Sequence, residues 1–124
     1  MNDATDDGTF AAEAAAAWAV LLGWCRGPEP AEETERALRR LIEAAADEPV
    51  LRVLCPWLSM TGLNVSTSTD FRVWGIEGFP SVVAWKGEFT VVEGLGRENR
   101  VLLETADVAE AVALLAGRVR ERRA

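Results

Sequence analysis

Cys25 and Cys55 are the only soft nucleophiles in a chain of 124 residues that has no histidine, tyrosine or glutamine. Without imidazole the commonest general base, the Ser-His and Cys-His nucleophile pairs and every His-containing zinc site are excluded. Two thiols cannot close a four-thiolate zinc site either, so no metal and no cofactor is expected. Around the first thiol the order is Trp24-Cys25-Arg26-Gly27-Pro28-Glu29-Pro30. Thiols attack as thiolates, and their chemistry turns on pKa. Arg26 and the amides of a following helix would lower the pKa of Cys25, whereas Glu29 would raise it. Residue types alone leave the sign open, so Cys25 is either a redox nucleophile or a small, half-buried residue.

Elements that position such a thiol can be read from periodicity. Residues 1–8 form an acidic leader, expected to be disordered. Thr9 could cap a short helix through Ala17. Trp18 to Trp24 is a continuous apolar run of strand length, which suits a strand buried on both faces. From Ala31 the period changes: Leu38, Leu41, Ile42 and Ala45 recur at helical spacing to about Asp47, with glutamates early and arginines later along the dipole. Val50 to Leu54 reads as a second strand, parallel to the first through a right-handed crossover. Both cysteines would then lie at strand ends on one sheet edge, where a disulfide requires Cα atoms within about 7 Å; the alternative is two unpaired thiols. Residues 55–72 read as a long connection, with helical turns near Asp70 to Trp74. Ser81–Trp85 and Glu88–Glu93, joined by Lys86-Gly87, form a hairpin. A helix follows from a Thr105 cap to Val119, and residues 120–124 are a basic tail. The fold class is α/β, a mixed sheet in the order β-α-β then β-β-α with flanking helices, and residues 9–119 are one domain.

Charge narrows the partners. Lys plus Arg number 13 against 20 Asp plus Glu, a net charge of −7. Nucleic acid and anionic membranes need a basic footprint and are disfavoured, whereas a basic protein segment fits. Ala11 to Leu22 is mostly alanine, carries Glu13 and follows an acidic leader, so neither a signal peptide nor a membrane span is expected. A cytoplasmic location follows, with the thiols reduced. Twelve of the 13 cations are Arg, which reads first as codon usage.

The element order, with Gly75-Ile-Glu-Gly-Phe-Pro80-Ser81 before the third strand, resembles the thioredoxin fold. Trp24-Cys25 with Gly27-Pro28 looks like its active-site turn, Phe79-Pro80-Ser81 like its cis-proline loop, and the hairpin with Gly94 and the last helix like its closing unit. The redox pattern departs: Glu29 follows Gly-Pro where a second cysteine belongs, and Ala19 stands where the family's buried acid falls. A lone thiol cannot resolve its own mixed disulfide. Among members lacking the pair, the chain is similar to the thioredoxin-like hydrogenase-expression chaperones of nickel-iron hydrogenase maturation, through Val73-Trp74-Gly75-Ile76-Glu77-Gly78-Phe79-Pro80 and the Pro-rich turn before the first long helix. That resemblance implies binding of a twin-arginine signal peptide.

Three function classes result, the third being a structural or dimerising subunit of a larger assembly. In the first, a non-catalytic peptide-binding or assembly module holds a basic client on the Phe79-Pro80-Ser81 edge, with Trp24 and Trp57 as apolar contacts beside Cys25 and with Glu29, Glu32 and Glu33 facing client cations. In the second, an atypical oxidoreductase uses Cys25, with Cys55 or a partner thiol resolving. Trp18 and Trp85 are expected in the core, and for Trp24 and Trp57 core packing stands equally beside the contact role. The oligomeric state is left open.

Overall fold

The computed structural model describes residues 3–74, 76–94 and 99–123. Among the described residues, three α-helices and five strands follow in the order α1 (Asp3–Cys25), α2 (Glu33–Ala46), β1 (Cys55–Ser59), β2 (Gly62–Ser66), a 3-10 turn (Phe71–Val73), β3 (Ser81–Trp85), β4 (Glu88–Glu93), β5 (Arg100–Thr105) and α3 (Val108–Arg123). The strands form one sheet in sequence order, and every neighbouring pair is antiparallel. The chain is therefore α/β as expected. Its sheet, however, is an antiparallel meander and not a mixed sheet built on a β-α-β crossover.

The difference starts in α1. The run from Trp18 to Trp24 is helical, continuing the alanine-rich stretch from Ala11, whose propensity favours a helix, and the helix begins at Asp3 within the expected leader. An unbroken apolar run has no period to read, so a buried strand and a helix look alike. The packing reveals the period: Ala14, Trp18, Leu21, Leu22 and Cys25 turn toward the core, with Trp18 at 4% exposure, while Val20 is 71% exposed. Trp18 Nε1 donates to the Leu54 carbonyl at 2.9 Å and pins α1 to the segment after α2. Within α1, Gly8–Cys25 is long and apolar enough by composition to cross a bilayer, with mean hydropathy 1.3.

α2 matches its expected span to within two residues and buries Ala37, Leu38, Leu41, Ile42 and Ala45. After it, Val50–Leu54 is a series of turns and not a strand. The Glu48 carboxylate accepts from the amides of Val50 at 2.7 Å and Leu51 at 3.0 Å, curling the chain while Leu51 and Leu54 remain buried. The expected connection over 55–72 instead holds the β1–β2 hairpin, and the helical turns expected near 70–74 are present as the 3-10 turn, where Asp70 Oδ1 caps Arg72 N at 3.0 Å.

The β3–β4 hairpin has the expected strands, in register from Ser81↔Val92 to Trp85↔Glu88. Lys86 (φ 48°) and Gly87 (φ 83°) both occupy the left-handed region that a tight two-residue hairpin turn requires. β5 was not expected. Thr105 ends it and does not cap α3; Asp107 Oδ1 accepts from the Ala109 amide at 3.0 Å. The tail expected over 120–124 is helical through Arg123, and Ala124, like Met1, Asn2 and Gly75 of the proline-loop motif, lies outside the described residues.

All three helices cover one face of the sheet. Leu38, Leu41 and Ile42 of α2 meet Leu63, Val82, Ala84, Phe89 and Val91 of the strands, with Val112, Leu115 and Val119 of α3 beside them.

Candidate functional site

Cys25 is the last residue of α1, and the turn after it is held by α2. Arg39 Nη1 donates to the carbonyls of Cys25 at 3.3 Å and Gly27 at 3.1 Å, and its guanidinium lies 4.8 Å from the Trp24 ring centroid. Arg36 Nη1 donates to the carbonyls of Pro30 at 3.0 Å and Ala31 at 2.8 Å. Two arginines therefore clip the glycine-proline turn by its main chain, each through one Nη1 that donates to two carbonyls. Cys25 Sγ faces the Arg39 carbonyl at 3.7 Å. Burial and then Glu43 push the Cys25 thiol above its ordinary pKa, against the opposing pull of Arg39 and Arg26. Cys55 is raised by burial and by Glu13. The opposing acid is thus Glu43 on α2, where the sequence pointed to Glu29. Both cysteines are free thiols.

This junction opens into a cleft of about 540 Å³, where Glu29, Glu33 and Glu43 balance Arg36, Arg39 and Arg40. A second cleft, of about 520 Å³, lies around the N-terminus of α2 and carries Glu32, Glu33 and Glu35 with Trp85, Thr61 and Lys86. Glu33 lines both, so they form one continuous surface. Lys86 N donates to Thr34 Oγ1 at 3.0 Å and docks the β3–β4 turn onto α2. The charge is unequal along the surface: the first cleft is neutral, and the second sets three carboxylates against one ammonium. Glu32 precedes the helix and makes no side-chain cap bond. Trp85, expected in the core, is 60% exposed.

The remaining expected residues lie elsewhere. Trp57 stacks on Trp74 with ring centroids 5.2 Å apart and planes 10° from parallel, on the sheet face away from the helices. With Phe79, Asn64 and Glu77 it bounds a cavity of about 20 Å³. Pro80 is fully buried, and no cis peptide occurs among the described residues. β3 lies between β2 and β4, its ladder with β2 being Gly62↔Val83 and Leu63↔Val82 and Ser81 pairing with Val92 of β4.

Trp24, Cys25, Glu29, Glu32 and Glu33 are therefore brought onto one surface, while Trp57, Phe79, Pro80 and Ser81 are separate from it. Sequence reasoning missed Arg36, Arg39 and Glu43, which recur at spacings of three and four on α2 and so had to share a face, and it missed Trp85 and Lys86, placed by the hairpin turn. Among the described residues no group of three or more His, Cys, Asp or Glu forms a metal-binding cluster.

No curated protein and no solved structure matches the chain. Residues 12–122 match a family described as a family of unknown function (DUF6193), and the chain belongs to that family.

Proposed function

We propose that the chain is a non-catalytic protein-binding domain that takes a basic, arginine-rich segment of a client against the acidic end of α2. The observation that carries this reading is the second cleft, where Glu32, Glu33 and Glu35 outnumber Lys86 beside an exposed Trp85. Glu33 and Glu35 also serve the helix dipole, but Glu32 lies outside the helix and caps nothing. In the neighbouring cleft Arg36 and Arg39 spend donors on main-chain carbonyls, so they repel a cationic client less than their number implies.

Each exposed ion pair contributes about 0.2–1 kcal/mol and a guanidinium over Trp85 about 0.5–1 kcal/mol. Three or four such contacts support weak, fast, salt-sensitive capture in which the field mainly steers the encounter. The raised thiols favour binding over thiol exchange, since neither cysteine is poised as a thiolate. The client surface is placed at the α2 end because carboxylates unpaired among the described residues and Trp85 lie together there, whereas Pro80 is fully buried. A twin-arginine signal peptide has this chemistry, and its link to hydrogenase maturation in the cytoplasm rests on the motif resemblance. A thioredoxin-like fold rests on it too, and the all-antiparallel order and helical 18–24 weigh against it.

Fluorescence anisotropy with a labelled Arg-rich peptide tests the reading. Binding should weaken about 5- to 30-fold in Glu32→Arg/Glu35→Arg, should fall with rising salt, and should be unchanged in Cys25→Ser. Equal affinity for wild type and the double variant would refute it.

A further inference from the structure

Ser68, Trp74 and Glu77, from the stretch between β2 and β3, are fastened against the β1–β2 half of the sheet. Trp74 stacks on Trp57, and its Nε1 donates to the Ser68 carbonyl at 2.8 Å. The Glu77 carboxylate accepts from Ser66 Oγ at 2.7 Å, from Thr67 N at 2.9 Å and from Thr67 Oγ1. Trp57, Asn64, Val65, Glu77 and Phe79 bound the cavity of about 20 Å³ that lies among these contacts. One of its walls brings a donor without an acceptor. Trp57 Nε1 is buried and makes no hydrogen bond to the described residues, whereas a buried donor is nearly always paired, either with protein or with ordered water.

We propose that this cavity is a binding site for one ordered water molecule, which accepts from Trp57 Nε1 and donates to Asn64 Oδ1 and to the Glu77 carboxylate. Volume sets the size of the ligand. A water needs about 10–15 Å³ of accessible cavity, so about 20 Å³ admits one water and nothing larger. The polar inventory sets its chemistry. An ionised carboxylate offers about four lone-pair positions, and three bonds to Ser66 and Thr67 leave Glu77 one more to give. Asn64 turns Nδ2 toward the carbonyls of Trp57 and Gly62, at 3.5 Å each, which leaves Oδ1 as an acceptor. One donor and two acceptors thus line the same small space, and they match a ligand that accepts once and donates twice. Water does both, and about three hydrogen bonds is usual for a buried water. A cation has no lone pair for the Trp57 N–H, and an anion would face the Glu77 carboxylate. Through this water β1, β2 and the stretch carrying Glu77 share one hub, and the Trp57 N–H is committed to the protein's own interior.

Water–protein cross-relaxation in the nitrogen-15-labelled chain tests the site. The chain has five tryptophans, and the indole N–H signal that disappears in Trp57→Phe is the one to follow. In wild type that proton should show water cross-peaks of opposite sign in NOESY and ROESY spectra, the signature of a water held for longer than the protein's tumbling time. No cross-peak, or peaks of equal sign that report exchange with solvent, would overturn the proposal. Asn64→Leu keeps the size of the side chain but removes Oδ1, so the cross-peak should be lost; its survival would overturn the three-bond cradle. The wild-type spectra decide the matter even where that variant unfolds. A crystal structure should place a water about 2.7–3.2 Å from Trp57 Nε1, Asn64 Oδ1 and the Glu77 carboxylate, and an Nε1 bonded directly to another protein atom would refute it. None of these results bears on the acidic cleft, which peptide anisotropy tests separately.

Discussion

Trp18 offers the sharpest test of the architecture because a helix and a strand place its neighbours differently. In a strand Trp18 and Val20 share a face; in α1 they are two residues apart on a helix and point roughly 200° apart. Trp18→Phe keeps an aromatic ring in the core but removes the donor to the Leu54 carbonyl, a bond of 2.9 Å to a residue only 1% exposed. Losing the bond and leaving a buried carbonyl unpaired costs about 1–3 kcal/mol, and the smaller ring adds a cavity cost, so about 2–3 kcal/mol is expected in all. For a domain of this size that lowers Tm by about 8–12 °C. Val20→Glu, at a site 71% exposed, should change stability by no more than about 0.5 kcal/mol. Urea unfolding followed by circular dichroism reads both, with an unchanged m-value confirming that the folded and unfolded states are comparable. A loss above about 2 kcal/mol in Val20→Glu, or below about 0.5 kcal/mol in Trp18→Phe, would refute the helical placement and the packing derived from it.

Two further outcomes rest on the ionisable groups. Cys25 should alkylate with iodoacetamide along a pH profile displaced above that of a free thiol, since burial and Glu43 both oppose the thiolate. Glu43→Gln should move that profile down without moving the one for Cys55; a Cys25 that reacts faster than a small free thiol at neutral pH contradicts the site as described. Glu93 accepts from Arg122 at 2.7 Å and Arg100 at 2.9 Å, and the pair holds its carboxyl below the ordinary range. On acidification the unfolded chain therefore takes up the proton first, so the stability Glu93 contributes is complete above its unfolded pKa and is lost as pH falls through its lower folded pKa. Because both arginines are solvent-exposed, the contribution is below about 1 kcal/mol. The gap between wild type and Glu93→Gln in urea melts should accordingly close between pH 6 and pH 2, and a gap that widens would contradict the assignment.

What could be read in the sequence was whatever local chemistry decides. α2 shows its period because charged residues separate Leu38, Leu41 and Ile42, and the β3–β4 hairpin shows its turn because Lys86-Gly87 stands between two β-rich runs. α1 was obscured because alanine counts as apolar in a pattern while being the best helix former in a backbone. Val50–Leu54 has strand composition, yet Glu48 makes two amide bonds that only a turn allows. β1, β2 and β5 were missed for another reason: Cys55–Ser59 begins with a proline at its second position and borders the sheet, and β5 carries an irregularity opposite Val91 and Val92 that breaks simple alternation. The motif matches carry no strand order either. Phe79-Pro80-Ser81 can meet a client only if it is exposed, and exposure, like strand order, is a property of the whole chain.

The arginines, first read as codon usage, acquire a structural reason at the same sites. Arg36 and Arg39 each reach two carbonyls from one side chain, Arg72 engages both oxygens of Asp70, and Arg100 and Arg122 share Glu93 between β5 and α3. A lysine supplies a point charge on a flexible stem, whereas a guanidinium supplies a planar fork that fixes two acceptors at once. Four of these five side chains join a turn or strand to an element it must stay beside, and Arg72 closes its own turn onto Asp70. Five guanidinium groups are thereby occupied by the protein itself, while Glu32 and Glu35 have no ion-pair partner among the described residues. Within the net charge of −7, the carboxylates at the start of α2 face solvent beside Trp85. The negative field is therefore strongest where an aromatic wall and an open cleft already coincide.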